Sequence, residues 1–128
     1  MNDMPTLDAQ LQAMRQLGEN WDGYGGAAPQ GHVIELAREF VRLIETVLRK
    51  RSAAADALHV SPTRTGGVLV EWEDAEAEHE VEISPDQSFS FLHLNKATGH
   101  TETRKLTPAA HAVVHPGLLH ELSQLLAA

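Results

Sequence analysis

Between Glu71 and Glu82 the chain carries Glu71, Glu73, Asp74, Glu76, Glu78, Glu80 and Glu82 with no lysine or arginine among them, so this short stretch holds seven of the eight net negative charges. The acids alternate with apolar residues. Val68, Val70 and Trp72 alternate with Leu69, Glu71 and Glu73, and His79, Val81 and Ile83 alternate with Glu78, Glu80 and Glu82. Period-two alternation is the mark of a half-buried strand. If both apolar sets face one core, the register places Trp72 opposite His79 and Val70 opposite Val81, which sets Glu71 against Glu80 and Glu73 against Glu78. Like charges facing each other across a ladder cost about 0.2–1 kcal/mol per pair, and a one-residue slip would expose Val70, Val81 and Ile83. A carboxylate ladder of this kind suits docking of a basic protein surface, including one that normally holds nucleic acid. It also suits a solvated strand face that resists aggregation, and two neighbouring carboxylates can share a hard divalent cation.

The segment GENWDGYGGAAPQ is the second place where chemistry could reside. Its glycines allow unusual backbone angles, and Trp21, Asp22 and Tyr24 sit among them as loop anchors. Such a loop either presents aromatic side chains to a ligand or partner, or spends Trp21 on the gap between the first two helices while Asp22 caps a turn. The spacing of Asn20, Asp22, Tyr24 and Gly25 resembles the start of a calcium loop. The twelfth position is Gly31, however, and the bidentate acid required there is missing.

Among eight histidines, His111, His115 and His120 gather near the end of the sequence. His111 and His115 would share a helical face and are candidate metal ligands, but no HExxH pattern accompanies them and Pro116 disturbs the spacing of a third ligand. Incidental surface histidines are the simpler reading. His93 is in phase with Phe89 and Phe91, as befits a partly buried sheet residue. No Walker loop, no GxGxxG after a strand and no GxSxG elbow is present. The basic run Arg49-Lys50-Arg51 is the sequence's one candidate phosphate site, and a role at the negative end of a helix explains it more simply. No cofactor is implied, and a non-enzymatic protein is expected.

Composition narrows the partners. A net charge of −8 disfavours direct nucleic-acid binding, which depends on clustered lysine and arginine. The absence of cysteine excludes disulfides, thiolate zinc sites and cysteine nucleophiles, and fits a reducing compartment. The sequence shows neither the features of an export signal at its start nor an apolar run of membrane-spanning length. A cytoplasmic protein is expected.

These residues need a frame. At 128 residues, a single α+β domain is expected. Leu7, Leu11, Met14 and Leu17 predict a helix over 6–17, stopped by Gly18. A loop over 18–30 follows. Val33, Ile34, Ala37, Phe40, Val41, Ile44 and Leu48 predict a longer helix over 31–52. A sheet of four or five antiparallel strands occupies 57–106, starting with Leu58–Val60 and stopped by Ser61-Pro62-Thr63. A turn at Gly66-Gly67, another at Ser84–Gln87 and a possible fifth strand from Glu102 to Leu106 complete the meander. Phe89 and Phe91 should face one way, Leu92 and Leu94 the other. Thr107-Pro108 opens a last helix over 108–127, which Pro116 divides into a short turn and a helix proper, with Leu118, Leu119, Leu122, Leu125 and Leu126 as its apolar stripe. The architecture expected is helices on one face of an antiparallel meander.

The strings GENWDGYGGAAP, HVSPTRTGGVLVEW and EVEISPDQSFSFL together resemble a family of small uncharacterised bacterial proteins. That family shows an NWDGYGA loop with a proline nearby, a VSPT-plus-GG hairpin, an EW pair ending a strand and an alternating acidic strand. The likeness covers about residues 16–94; Gly26 is extra in this loop, and the histidine-rich tail departs from the pattern. The resemblance implies a partner in conflict systems: an antitoxin, a phage-defence component or an anti-CRISPR-like inhibitor. Two alternatives stand beside this acidic binding module. One is a small metal-binding enzyme or sensor using His111 and His115. The other is a structural accessory subunit that forms a homodimer through Leu69, Leu92 and Leu94.

Overall fold

The computed structural model describes residues 6–50, 58–73 and 75–106. Within them the chain forms two helices and then five strands: α1 (Leu7–Met14), α2 (Gly31–Lys50), β1 (His59–Pro62), β2 (Val68–Glu73), β3 (Ala77–Ile83), β4 (Phe89–Asn95) and β5 (Thr101–Leu106). The expected helix over 108–127, with His111, His115 and His120, lies outside the described residues, as does Asp74.

Thr6 caps α1, its Oγ1 accepting from the Ala9 N–H at 3.0 Å, which satisfies one of the free donors of the first turn. Leu11 and Met14 are buried, and Leu7 and Leu17 pack against the same core. The helix ends at Met14 rather than at Leu17. From Arg15 onward the backbone bonds shorten to three residues, with Arg15 N to Gln12 O, Gln16 N to Ala13 O and Leu17 N to Met14 O at 3.1–3.2 Å. The chain thus keeps turning in a tighter helix that still delivers Leu17 to the core.

α2 buries Val33, Ile34, Ala37, Phe40, Val41 and Ile44 at no more than 2 % exposure, the stripe that its 3.6-residue period dictates. Two arginines clamp it to α1. Arg38 reaches Asp8 at 3.2 Å and Glu35 at 3.3 Å, and Arg15, at the C-terminal end of α1, pairs with the same Glu35.

The five strands lie in sequence order, each antiparallel to the next. The inner face meets the helices through Val60, Val68, Val70, Trp72, Val81, Ile83 and Phe89, all buried. β1 runs on through Ser61 and Pro62, where the sequence suggested a stop, and Pro62 pairs with Val68. The edge of a sheet tolerates a residue without an N–H donor, because the missing bond is not missed by a neighbour. The β1–β2 turn requires its glycines. A Cβ on Gly67 would stand 2.5 Å from the Ile83 carbonyl oxygen, and Gly66 has φ +85°. At the β3–β4 turn, Asp86 Oδ1 accepts from Ser88 Oγ at 2.6 Å and from Ser88 N at 3.0 Å.

Candidate functional site: a carboxylate face and an aspartate-organised loop

The register of β2 and β3 sets the geometry of the acidic face. Val70 pairs with Val81 and Trp72 with His79, which places Glu71 opposite Glu80, Glu73 opposite Glu78 and Leu69 opposite Glu82. With the apolar partners of each strand in the core, the acids share the outer face. Glu71, Glu80 and Glu82 are half-buried, while Glu73 and Glu78 are exposed. Glu76 lies in the connection between the strands, exposed, outside the ladder.

The rungs continue into β4 and β5. Glu78 is followed by Leu94 and Thr101, Glu80 by Leu92 and Thr103, and Glu82 by Ser90 and Lys105. The outer face is therefore divided, with carboxylates over β2 and β3 and half-buried leucines over β4. A trough of about 360 Å³ runs between the two halves, lined by Leu69, Glu80, Glu82, Leu92, Thr103 and Lys105 among others. On the other flank His59 of β1 stands opposite Glu71 and shares a hollow of about 240 Å³ with Glu71, Glu73, Glu78 and Glu80.

The chain neutralises this face only in part. Lys96 Nζ lies 2.8 Å from Glu73 Oε2, whereas among the described residues no ion pair reaches Glu71, Glu78, Glu80 or Glu82. The described residues contain no group of three histidine, aspartate or glutamate side chains arranged to hold a metal ion. His59 and Lys96 are the residues that sequence reasoning missed. Only the pairing of β1 with β2 and the β4–β5 turn bring them beside the acids, and neither is a local pattern.

The NWDGYG loop is held by one carboxylate. Asp22 Oδ1 accepts from Tyr24 N at 2.9 Å and from Gly26 N at 2.8 Å, and Asp22 Oδ2 meets Arg64 Nε at 2.8 Å. The Tyr24 N–H bond, the Gly26 N–H bond and the Arg64 guanidinium hold the Asp22 carboxyl below its ordinary value of 3.8, against the opposing effect of desolvation. Gly26 is required by this arrangement, since a Cβ there would lie 2.8 Å from the Asp22 carboxylate. Asn20 adopts φ 60° and accepts from Gly25 N through Oδ1 at 2.6 Å.

Of the three loop anchors, Trp21 turns inward and Tyr24 outward. Trp21 is half-buried and donates from Nε1 to the Ala27 carbonyl at 2.9 Å, so its polar end closes its own loop. Tyr24 is 80 % exposed, with the Arg64 guanidinium carbon 5.9 Å from its ring centre. The loop docks on the β1–β2 turn through Ala27 N to Arg64 O at 2.9 Å. Asp22 thus organises structure, and Tyr24 is the one anchor left facing solvent.

A third grouping lies on the inner face. Trp72, His79, His93 and Glu102 occupy one continuous rung across four strands. The Trp72 and His79 rings stack at 5.0 Å, and the His93 ring meets His79 edge-on at 4.8 Å. As the sequence phase indicates, His93 belongs to the sheet interior with Phe89 and Phe91 and is half-buried.

No family model, curated protein or solved structure matches the chain. No helix among the described residues is long and apolar enough to cross a membrane.

Proposed function

We propose that the protein is a non-enzymatic binding module that docks a basic surface of a protein partner on the outer face of β2 and β3. The observation that carries this reading is the register: Glu71 and Glu80 face each other, with Glu78 beside them, and no ion pair from the described residues offsets their charge. Such an arrangement costs the isolated fold stability, and a cationic partner returns it on binding. The half-buried Leu92 and Leu94 beside the acids supply apolar contact area, so the face combines steering charge with a place to exclude water.

A basic partner of this kind is a toxin or a protein that normally holds nucleic acid, which makes an antitoxin, a defence-system component or an anti-CRISPR-like inhibitor the fitting roles. The likeness of the NWDGYG, VSPT-GG and EVEI strings to the small bacterial family supports the same direction. A cytoplasmic location and a further helix over 108–127 belong to this reading. A homodimer through Leu69, Leu92 and Leu94 would bring two acidic faces together and is disfavoured by their repulsion.

The test is charge reversal of Glu71, Glu78 and Glu80 to lysine, followed by capture of partners from the native host with the wild type as reference. Loss of a salt-sensitive partner with the fold intact is expected. Capture that is unchanged by the reversal, or that persists at high salt, removes the face from consideration.

A further inference from the structure

Strands spaced about 4.8 Å apart separate β1 from β5 by about 19 Å, and one helix, with a diameter of about 10 Å, covers roughly two strands. The helical layer of the described residues is narrower than its sheet. α1 packs on β1, and α2 lies over β2 and β3. α2 reaches β4 through Phe40, whose ring lies 5.3 Å from Phe89 and 6.3 Å from Phe91. Past that contact, the described residues place no element over the inner side of β4 and β5. Phe91 and His93 are half-buried there and Arg104 and Glu102, their partners in β5, are exposed, around a hollow of about 370 Å³.

We propose that the inner face of β4 and β5 is the docking site of the chain's own residues 107–128. The open width corresponds to one helix. β5 ends at Leu106, opposite the fully buried Phe89, so the chain leaves the sheet beside the core and on the rung that borders the open face. The following 22 residues carry leucines at 118, 119, 122, 125 and 126, spacings of three and four that give a helix one apolar stripe. Residues 118–127 in helical form extend about 15 Å, enough to cross the two strands. Glu121 is the segment's one formally charged residue and complements the exposed Arg104. The inference rests on the helix over 108–127 proposed above but not on the carboxylate face, which lies on the opposite side of the sheet.

Because the chain contains no cysteine, paired cysteines report this contact without background. In the full-length protein, Arg104→Cys is combined with Leu122→Cys, and in a second variant Glu102→Cys with Leu125→Cys. An outer-face control combines Glu78→Cys with Leu122→Cys. Under mild oxidation at least one inner pair should close within a single chain about tenfold faster than the control, reflecting the high effective concentration of docked groups. Closure of neither inner pair faster than the control overturns the inference. So does the formation of disulfide-linked dimers in place of internal bridges, which would assign the face to a second copy.

Discussion

Arg64 reaches back from the β1–β2 turn to place its Nε 2.8 Å from Asp22 Oδ2, while its terminal nitrogen donates to the Tyr24 carbonyl at 2.5 Å. One side chain thereby fastens the loop between the helices to the start of the sheet. The folded Asp22 carboxyl titrates below its ordinary value of 3.8. A depressed carboxyl adds stability above the unfolded value and loses it as pH falls through the folded one. Asp22→Asn keeps an acceptor for the Tyr24 and Gly26 N–H groups but removes the charge facing Arg64. Thermal melts should therefore show the wild type more stable than Asp22→Asn at pH 7, with the difference closing progressively below pH 3.8. A gap that stays constant into strong acid would show that the carboxylate's charge does not hold the loop.

The carboxylate face makes an unusual expectation, that a substitution should improve the fold while weakening the proposed docking. Glu71→Lys converts the Glu71–Glu80 rung from a like-charge pair to an opposite-charge pair. The change is worth about 0.2–1 kcal/mol of added stability, shrinking as salt rises. Chemical denaturation at low and high ionic strength reads it directly. If the variant is instead destabilised at low salt, the two carboxylates do not repel across the ladder and the reason for assigning a partner to this face disappears.

The register of this hairpin was legible because Val70, Val81 and Ile83 leave only one pairing that keeps all three inside, and the acids follow from that constraint. α2 was legible for the same reason, its stripe being long enough to average out exceptions. Element ends were less so. Ser61-Pro62 reads locally as a stop, and only its place on an edge strand permits Pro62 to pair with Val68. Leu17 keeps the apolar spacing of α1 although the α-type bonding has already given way to a tighter turn. The sequence leaves Asp22 open between a loop anchor and a turn cap, and it does not show the partner that decides for structure. Arg64 belongs to a glycine-rich turn far along the chain, and nothing in either string marks the two as neighbours. His59 was hidden likewise, since its place beside Glu71 depends on a strand pairing rather than on spacing.

Phe40 joins the helical layer to the half of the sheet that α2 does not otherwise cover. It is fully buried and meets both Phe89 and Phe91. Phe40→Ala removes both ring contacts and opens a cavity, a change that costs about 3–5 kcal/mol. Phe40→Leu, which retains much of the volume, should cost less. Equilibrium urea unfolding distinguishes them, and a cost for Phe40→Ala under about 1 kcal/mol would mean that α2 does not seat on β4 as described.

The β1–β2 turn supplies the sharpest backbone test, because its two glycines are needed for different reasons. At Gly66 the restriction is conformational, with φ +85° and a Cβ that would meet only side-chain carbon and a carbonyl at 3.4 Å or more. At Gly67 it is steric, since the added carbon would lie 2.5 Å from Ile83 O and 3.1 Å from Thr63 Oγ1. The Thr63 hydroxyl also accepts the Gly67 N–H at 2.9 Å, so the turn cannot open without losing that bond. Gly67→Ala should therefore destabilise the protein by about 1–3 kcal/mol as backbone is forced apart, whereas Gly66→Asn, a residue that tolerates positive φ, should cost less than Gly66→Ala. Denaturant titration of the three variants orders them. If Gly67→Ala is neutral, the close approach of the turn to β3 is wrong, and with it the position of Ile83 at the end of the Val68 rung.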